Sequence, residues 1–159
     1  MSAVKPIPDG YNSVIPYLHV KGAAQAIQFY KSVFGAMEKL RMPDPAGRIV
    51  HAELKIGDSM IMLSDEFPKM GALGPQSVGG TPVTLHLYVE SVDAVVQKAV
   101  AAGATLDRPV KDQFYGDRSG SLTDPFGHKW HVATHVEDVS PKELEARAAA
   151  AMSQPAGAS

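Results

Sequence analysis

Along residues 13–20 apolar and polar positions alternate. Val14, Pro16, Leu18 and Val20 fall on one side, and Ser13, Ile15, Tyr17 and His19 on the other, the period-two signature of a half-buried strand. The period then changes. Ile27, Tyr30, Val33 and Phe34 recur at helical spacing over 23–34, and Gly35 suits the left-handed position that ends a helix. A strand at 36–42 runs into the turn Pro43-Asp44-Pro45-Ala46-Gly47. Residues 48–56 alternate again, with Val50, Ala52, Leu54 and Ile56 set against Ile49, His51, Glu53 and Lys55. Gly57-Asp58 then closes a hairpin to a strand at 60–64.

The same order then repeats. A strand at 82–89 sets Val83, Leu85, Leu87 and Val89 against Thr84, His86 and Tyr88. Ser91 can N-cap a helix marked by Val92, Val95, Val96, Ala99 and Val100 and stopped by Gly103. Strands follow near 104–110, 119–123 and 129–134. The last two are joined at Asp124-Pro125-Phe126-Gly127, where proline presets the second turn position and glycine suits the fourth. Landmarks recur at a steady offset: Val20 to Val89 is 69, Gly35 to Gly103 is 68, and Gly57 to Gly127 is 70. The chain therefore divides into an extended arm (1–11), a βαβββ module (12–64), a polar linker (65–81), a second βαβββ module (82–139) and a C-terminal helix with a frayed tail (140–159). That helix opens on the capping box Ser140-Pro141-Lys142-Glu143 and runs to about Met152. The fold class is α+β, with two βαβββ modules forming a curled, cup-like mixed sheet and helices on its outer face.

Composition narrows the function classes. The chain has 159 residues, 45% of them hydrophobic, enough for one compact domain or two small modules sharing a core. A net charge of −2 with no basic stripe argues against a nucleic-acid binder. No apolar run approaches the ~18 residues of a membrane span, and the start lacks a signal-peptide core, so a cytoplasmic protein is expected. With no cysteine, disulfides, thiolate metal sites and a cysteine nucleophile are excluded. A G-x-S-x-G elbow and a P-loop are also missing.

Aliphatic strand faces should pack under the helices, which leaves the opposite faces for chemistry. Those faces carry Tyr17, His19, His51, Glu53, Thr84, His86, Tyr88, His131 and His135, a set richer in rings than the Lys, Glu and Thr of a solvated sheet face. Glu53 in an apolar cup would have a raised pKa and could take a proton, which makes it the candidate catalytic residue. His51, Glu53, His86 and His131 are of the right types for a divalent metal, although no short-spaced ligand pair accompanies them. A planar ligand would lie against Tyr17, Tyr88, Phe114, Tyr115 and Trp130, with its polar ends met by Glu53, His86 and Arg118.

Taken together, the two modules resemble the vicinal oxygen chelate superfamily of glyoxalases, bleomycin resistance proteins and extradiol dioxygenases. The resemblance rests on Ala26-Ile27-Gln28-Phe29-Tyr30-Lys31-Ser32-Val33-Phe34-Gly35, on Ala99-Val100-Ala101-Ala102-Gly103-Ala104, and on Tyr115-Gly116-Asp117-Arg118 with Asp124-Pro125-Phe126-Gly127-His128-Lys129-Trp130. Val14-Ile15-Pro16-Tyr17-Leu18 and Ala133-Thr134-His135-Val136-Glu137-Asp138-Val139 look like its PhnB-like branch. The resemblance implies metal ligands at Ile15, Thr84, His131 and either Ile61 or Met62; only His131 can bind a metal, so the usual site is expected to be absent and no cofactor is expected. It also implies a homodimer. The favoured function is a binding protein that holds an aromatic or polar small molecule. The alternative is a lyase or oxidoreductase using a divalent metal at a displaced site of His51, Glu53, His86 and His131.

Overall fold

Strand pairing in the first half starts at Pro16, whose carbonyl accepts the Met62 N–H at 2.9 Å. Proline has no N–H to carry the ladder further back. The strand predicted from Ser13 is therefore only β1, Tyr17–Val20, and Val14 stays 85% exposed. The computed structural model describes residues 3–154, so the ends of the arm and most of the predicted frayed tail, 155–159, lie outside the described residues. The chain forms two units. One comprises residues up to Pro82 with Pro125–His128, and the other comprises Val83–Asp124 with the chain from Lys129 onward.

In the first unit β1 is followed by α1 (Ala23–Phe34), β2 (Met37–Pro43), β3 (Ile49–Ile56) and β4 (Ser59–Asp65). The sheet order is β1-β4-β3-β2, with β1 parallel to β4 and the other pairs antiparallel. Registry places Leu18, Leu63 and Ala52 in one row and Leu54 opposite Ile61. These residues are buried, as are Ala26, Ile27, Tyr30 and Val33 of α1. α1 ends at Gly35 in the left-handed region, and its N–H returns to the Tyr30 carbonyl. Phe126 packs its ring on Phe29 and Tyr30, with centroids 6.2 and 6.4 Å away. Beside it Gly127, with φ +93°, could not carry a Cβ without meeting Pro75 Cβ at 2.8 Å.

The alternation predicted for β3 holds from Ala52 onward and fails before it. Met42 pairs with His51, but the next residue, Pro43, pairs with Ile49. Val50 is thus the extra residue of a β-bulge, which turns it outward and leaves Ile49 buried in its place. The stretch 65–81 also has structure. Phe67 and Ala72 bridge around a 3-10 turn at Pro68–Met70, and a short α2 follows at Pro75–Val78. Glu66 holds the loop together by accepting from the Gly74 N–H and the Ser77 hydroxyl.

The second unit contains β5 (Thr84–Tyr88), α3 (Val92–Ala101), β6 (Thr105–Asp112), β7 (Asp117–Thr123), β8 (Lys129–His135) and α4 (Pro141–Met152), with sheet order β5-β8-β7-β6. Its core is Val92, Val96, Ala99, Leu122, Trp130 and Val132. α3 packs on β6, β7 and β8. Edge strand β5 keeps the predicted parity but less cover: Leu85 and Leu87 are half-buried, and Val83, expected in the core, is 60% exposed. α4 has its predicted Ser140 cap and buries none of its residues. Arg147 ties it to Glu137 and the Phe114 carbonyl, and bonds Glu143 within the helix.

Each main helix is capped from the last strand of its own unit. The Asp65 carboxylate accepts from Gly22, Ala23 and Ile49 N–H groups at 3.0, 2.8 and 2.7 Å. Thr134 Oγ1 accepts from Val92 N–H at 2.9 Å and donates to the Val89 carbonyl. Asp65→Ala should lower stability by about 1–3 kcal/mol in urea unfolding, because it strips the N-terminus of α1 of a side-chain acceptor and orphans the Ile49 N–H. Thr134→Val should cost less, about 1 kcal/mol, since Ser91 also caps α3.

Candidate functional site

On the helix-free face of the first unit, registry lines up Tyr17, Met62, Glu53 and Leu40 across the four strands. A hydrogen-bonded chain crosses this row. Tyr11 of the arm donates to one Glu53 oxygen, His51 Nε2 meets the other at 2.8 Å, and His51 Nδ1 lies 2.8 Å from the Tyr17 hydroxyl. Since a carboxylate only accepts, a neutral His51 carries its proton on Nε2 and takes the Tyr17 O–H on Nδ1. Glu53 is 7% exposed. The raised pKa expected for it is not found: burial works to raise it, but the hydrogen bonds from Tyr11 and His51 outweigh burial and hold the carboxyl below its usual range. Glu53 is thus an anion whose two oxygens hold Tyr11 and His51.

Beside this chain is a cavity of about 340 Å³. Tyr17, His19 and Ser64 give it polar edges, while Val50, Phe67 and Met70 give it apolar walls. Ser64 Oγ donates to the Asp65 carbonyl and so accepts from His19 Nδ1 at 3.0 Å, which leaves His19 Nε2 as an acceptor. Burial first, then the nearby His128, lowers the His19 pKa, so this ring is neutral at pH 7.

The helix-free face of the second unit has the matching row. His86, His131, Ser121 and Arg108 stand side by side across β5, β8, β7 and β6. The Nδ1 atoms of His86 and His131 are 2.8 Å apart, so one ring must donate to the other. Further along, buried Asp117 accepts from Tyr88 at 2.8 Å and contacts His135 Nδ1 at 2.8 Å, while His135 Nε2 reaches Asp138 at 2.7 Å.

Other sequence candidates lie elsewhere. Arg118 alternates with Asp117 and shares its side of β7 with Gly120 and Leu122. It forms paired hydrogen bonds with Asp93 of α3 and another to Asp112, so it stands on the helix side, away from His86 and Tyr88. Trp130 is 3% exposed, lies in register with Leu85 and Leu122, and donates its indole N–H to Asp124. Phe114 and Tyr115 contact edge to face at 5.2 Å in the turn between β6 and β7, where Arg147 binds the Phe114 carbonyl. Tyr11, Ser64, Phe67, Met70, Arg108 and Asp117 were not singled out by sequence. Reading alternation back from Ser121 through Ser119 would have found Asp117.

The metal question is answered by donor chemistry. Registry pairs Met62, not Ile61, with Tyr17, as His131 pairs with His86. The positions at which the resemblance implies ligands thus hold Ile15, Met62, Thr84 and His131, a set with one ligating side chain that does not fit a metal. Among the described residues no group of three or more His, Asp or Glu side chains is placed to hold one. No helix among the described residues is long and apolar enough to cross a membrane.

Asp117 is held below the usual carboxylate range; burial opposes this, but His135 and Tyr88 outweigh it. His135 is raised above 6.5 by Asp117 first and then Asp138. Lowered Asp117 contributes stability above its unfolded pKa, which is lost as pH falls through its folded value. Raised His135 contributes stability below its unfolded pKa, which is lost as pH rises through its folded value. Their joint contribution should be largest between about pH 4 and 6.5. NMR titration should find His135 protonated above the free-imidazole range, and Asp117→Asn should return it toward about 6.5 and flatten the dependence of melting temperature on pH.

The profile of the Glyoxalase/Bleomycin resistance protein/Dioxygenase superfamily matches residues 12–132. Uncharacterized protein Mb0911c of Mycobacterium bovis (strain ATCC BAA-935 / AF2122/97) is 46% identical over 134 residues, 82% of this chain and 88% of its own. The crystal structure of TioX from Micromonospora sp. ML1 aligns with a TM-score of 0.62 at 27% identity, over 79% of this chain and 99% of that one. The PhnB protein from Bacillus cereus aligns with a TM-score of 0.63 over 77% and 99%; at 18% identity it shows a shared fold.

Proposed function

The chain belongs to the Glyoxalase/Bleomycin resistance protein/Dioxygenase superfamily, and from that premise we propose that it binds an aromatic or polar organic small molecule at Tyr17 of the first unit. The superfamily's description spans enzymes and resistance proteins, so the reading has to come from the site. The observation that carries it is the Tyr11–Glu53–His51–Tyr17 chain ending at the wall of an apolar-lined cavity. Holding a carboxylate, an imidazole and two phenols in one hydrogen-bonded line restricts four side chains, and its effect is to fix the Tyr17 ring and hydroxyl before anything binds.

The proton positions define the ligand. Tyr17 gives its proton to His51 and keeps lone pairs on the cavity side, and neutral His19 adds an acceptor at Nε2. Phe67, Met70 and Val50 take an apolar body. The ligand is therefore a small ring or chain bearing a hydroxyl or N–H donor, sized for a cavity near the lower end of the usual ~300–1,000 Å³.

A fragment screen by protein-observed NMR tests this. Hydroxyl- or amine-bearing aromatic fragments should shift Tyr17, His19 and Phe67 signals, whereas aliphatic carboxylates should leave them unmoved. Tyr17→Phe should weaken binding about three- to tenfold, the worth of one hydrogen bond, and Phe67→Ala should weaken it through lost contact. A screen in which no donor-bearing fragment shifts these residues overturns the reading.

A further inference from the structure

We propose that the row Arg108–Ser121–His131–His86 of the second unit, with Lys129 and Thr84 beside it, is a binding site for an oxyanion, the phosphate, sulfate or carboxylate end of a small organic acid. The site shares no lining residue with the Tyr17 cavity and is of opposite chemistry. These six side chains line a cavity of about 740 Å³, with Asp107 at its edge.

Arg108 owes its place to a backbone irregularity. Leu106 pairs with Leu122 on the helix side, so plain alternation would put Arg108 there too. Instead Arg108 pairs with Ser121, which leaves Asp107 as the extra residue of a bulge and carries the guanidinium to the histidine side. Bulges re-aim side chains in this manner next to binding sites. Lys129 reaches the same face by ordinary parity, two positions from His131 and in register with Thr84.

The donors face the cavity with their charge available. Among the described residues neither Arg108 nor Lys129 forms an ion pair, even though Arg118 and Arg147 nearby in the sequence each hold two carboxylates. The one carboxylate of the lining, Asp107, accepts the Thr123 hydroxyl at 2.6 Å. Two cations and one engaged carboxylate leave a positive site. A guanidinium fork with neighbouring hydroxyl and imidazole donors is the set that recognises a tetrahedral or planar oxyanion.

The imidazole pair links binding to protons. With Nδ1 atoms 2.8 Å apart the two rings share one proton when neutral, and burial first, then His86 and Arg108, oppose further protonation of His131. The groups around the pair are Arg108 and Asp107 on β6, Asp117 on β7, Lys129 and His135 on β8, and Tyr88 on β5, whose ring centroid is 4.8 Å from that of His86. An anion set beside Arg108 offsets its field, so a proton is taken up as the anion binds.

Sulfate is the probe, because it stays a dianion across the range in which imidazoles titrate, about pH 5 to 8. Isothermal titration of the full chain should show saturable sulfate binding that tightens roughly tenfold from pH 8 to pH 6 and takes up protons, as the difference between two buffers reveals. Arg108→Gln should weaken it about tenfold or more and Lys129→Gln less. The double change His86→Gln with His131→Gln should keep binding but flatten its pH dependence. Tyr17→Phe should leave sulfate binding unchanged, whatever it does to donor-bearing fragments. Circular dichroism melting checks that each variant is folded. No saturable sulfate binding, or an affinity unchanged in folded Arg108→Gln, overturns the site; wild-type binding that is flat with pH overturns the role of the imidazole pair.

Discussion

Each unit depends on one polar contact made backward along the chain, from the end of its last strand to the start of its helix. Asp65 and Thr134 stand 69 positions apart and perform this same task. An uncapped helix N-terminus leaves several N–H groups without partners, and a glycine such as Gly22 brings no acceptor of its own. By supplying the acceptor from the sheet, the chain fixes the helix over one face of that sheet. Everything else follows from that choice of side. Leu18, Leu54, Ile61 and Leu63 become core, and Tyr17, His51 and Glu53 come to share the other face.

How much of this could be read from the sequence depends on where the backbone stays regular. Alternation located the strands and the core of β3 from Ala52 onward, and helical spacing located α1 and α3 with their stops. Bulges broke the rule. Val50 and Asp107 each insert one residue into an otherwise regular ladder, and nothing in side-chain pattern announces an inserted residue. Val50 therefore seemed to belong to the core, and Arg108 drew no notice. Arg118 and Trp130 were misjudged differently: they carry the residue types of a ligand site, but parity sends Arg118 to Asp93 and Trp130 to Asp124. Tyr11 could not have been found, because a contact across 42 residues from an irregular arm leaves no local signature.

The stretch 65–81 is instructive because its composition was right for a linker and its role is larger. Gly and Pro made it irregular, and irregular backbone needs its polar groups satisfied. Glu66 does so for Gly74 and Ser77, and the loop so stiffened presents Phe67, Met70 and Ala72 as one wall of the Tyr17 cavity. Loops positioned by a rigid scaffold are where binding surfaces differ most freely.

The internal repeat then explains how one scaffold carries two chemistries. Leu40, Glu53, Met62 and Tyr17 form a row in the first unit, and Arg108, Ser121, His131 and His86, 68 or 69 positions later, form its counterpart in the second. Both rows sit beside the same kind of bulge, with Lys39 extra in one and Asp107 in the other. The side chains have diverged in opposite directions. In the first row the carboxylate is closed off by Tyr11 and His51, and what remains on the surface are acceptors, the Tyr17 oxygen and His19 Nε2. In the second row guanidinium, hydroxyl and imidazole groups leave donors. On both faces the imidazoles are already engaged, His51 with Glu53 and His86 with His131. Each helix-free face is filled with hydrogen-bonding partners that orient one another, and recognition by proton donors and acceptors is the chemistry such a filling supports.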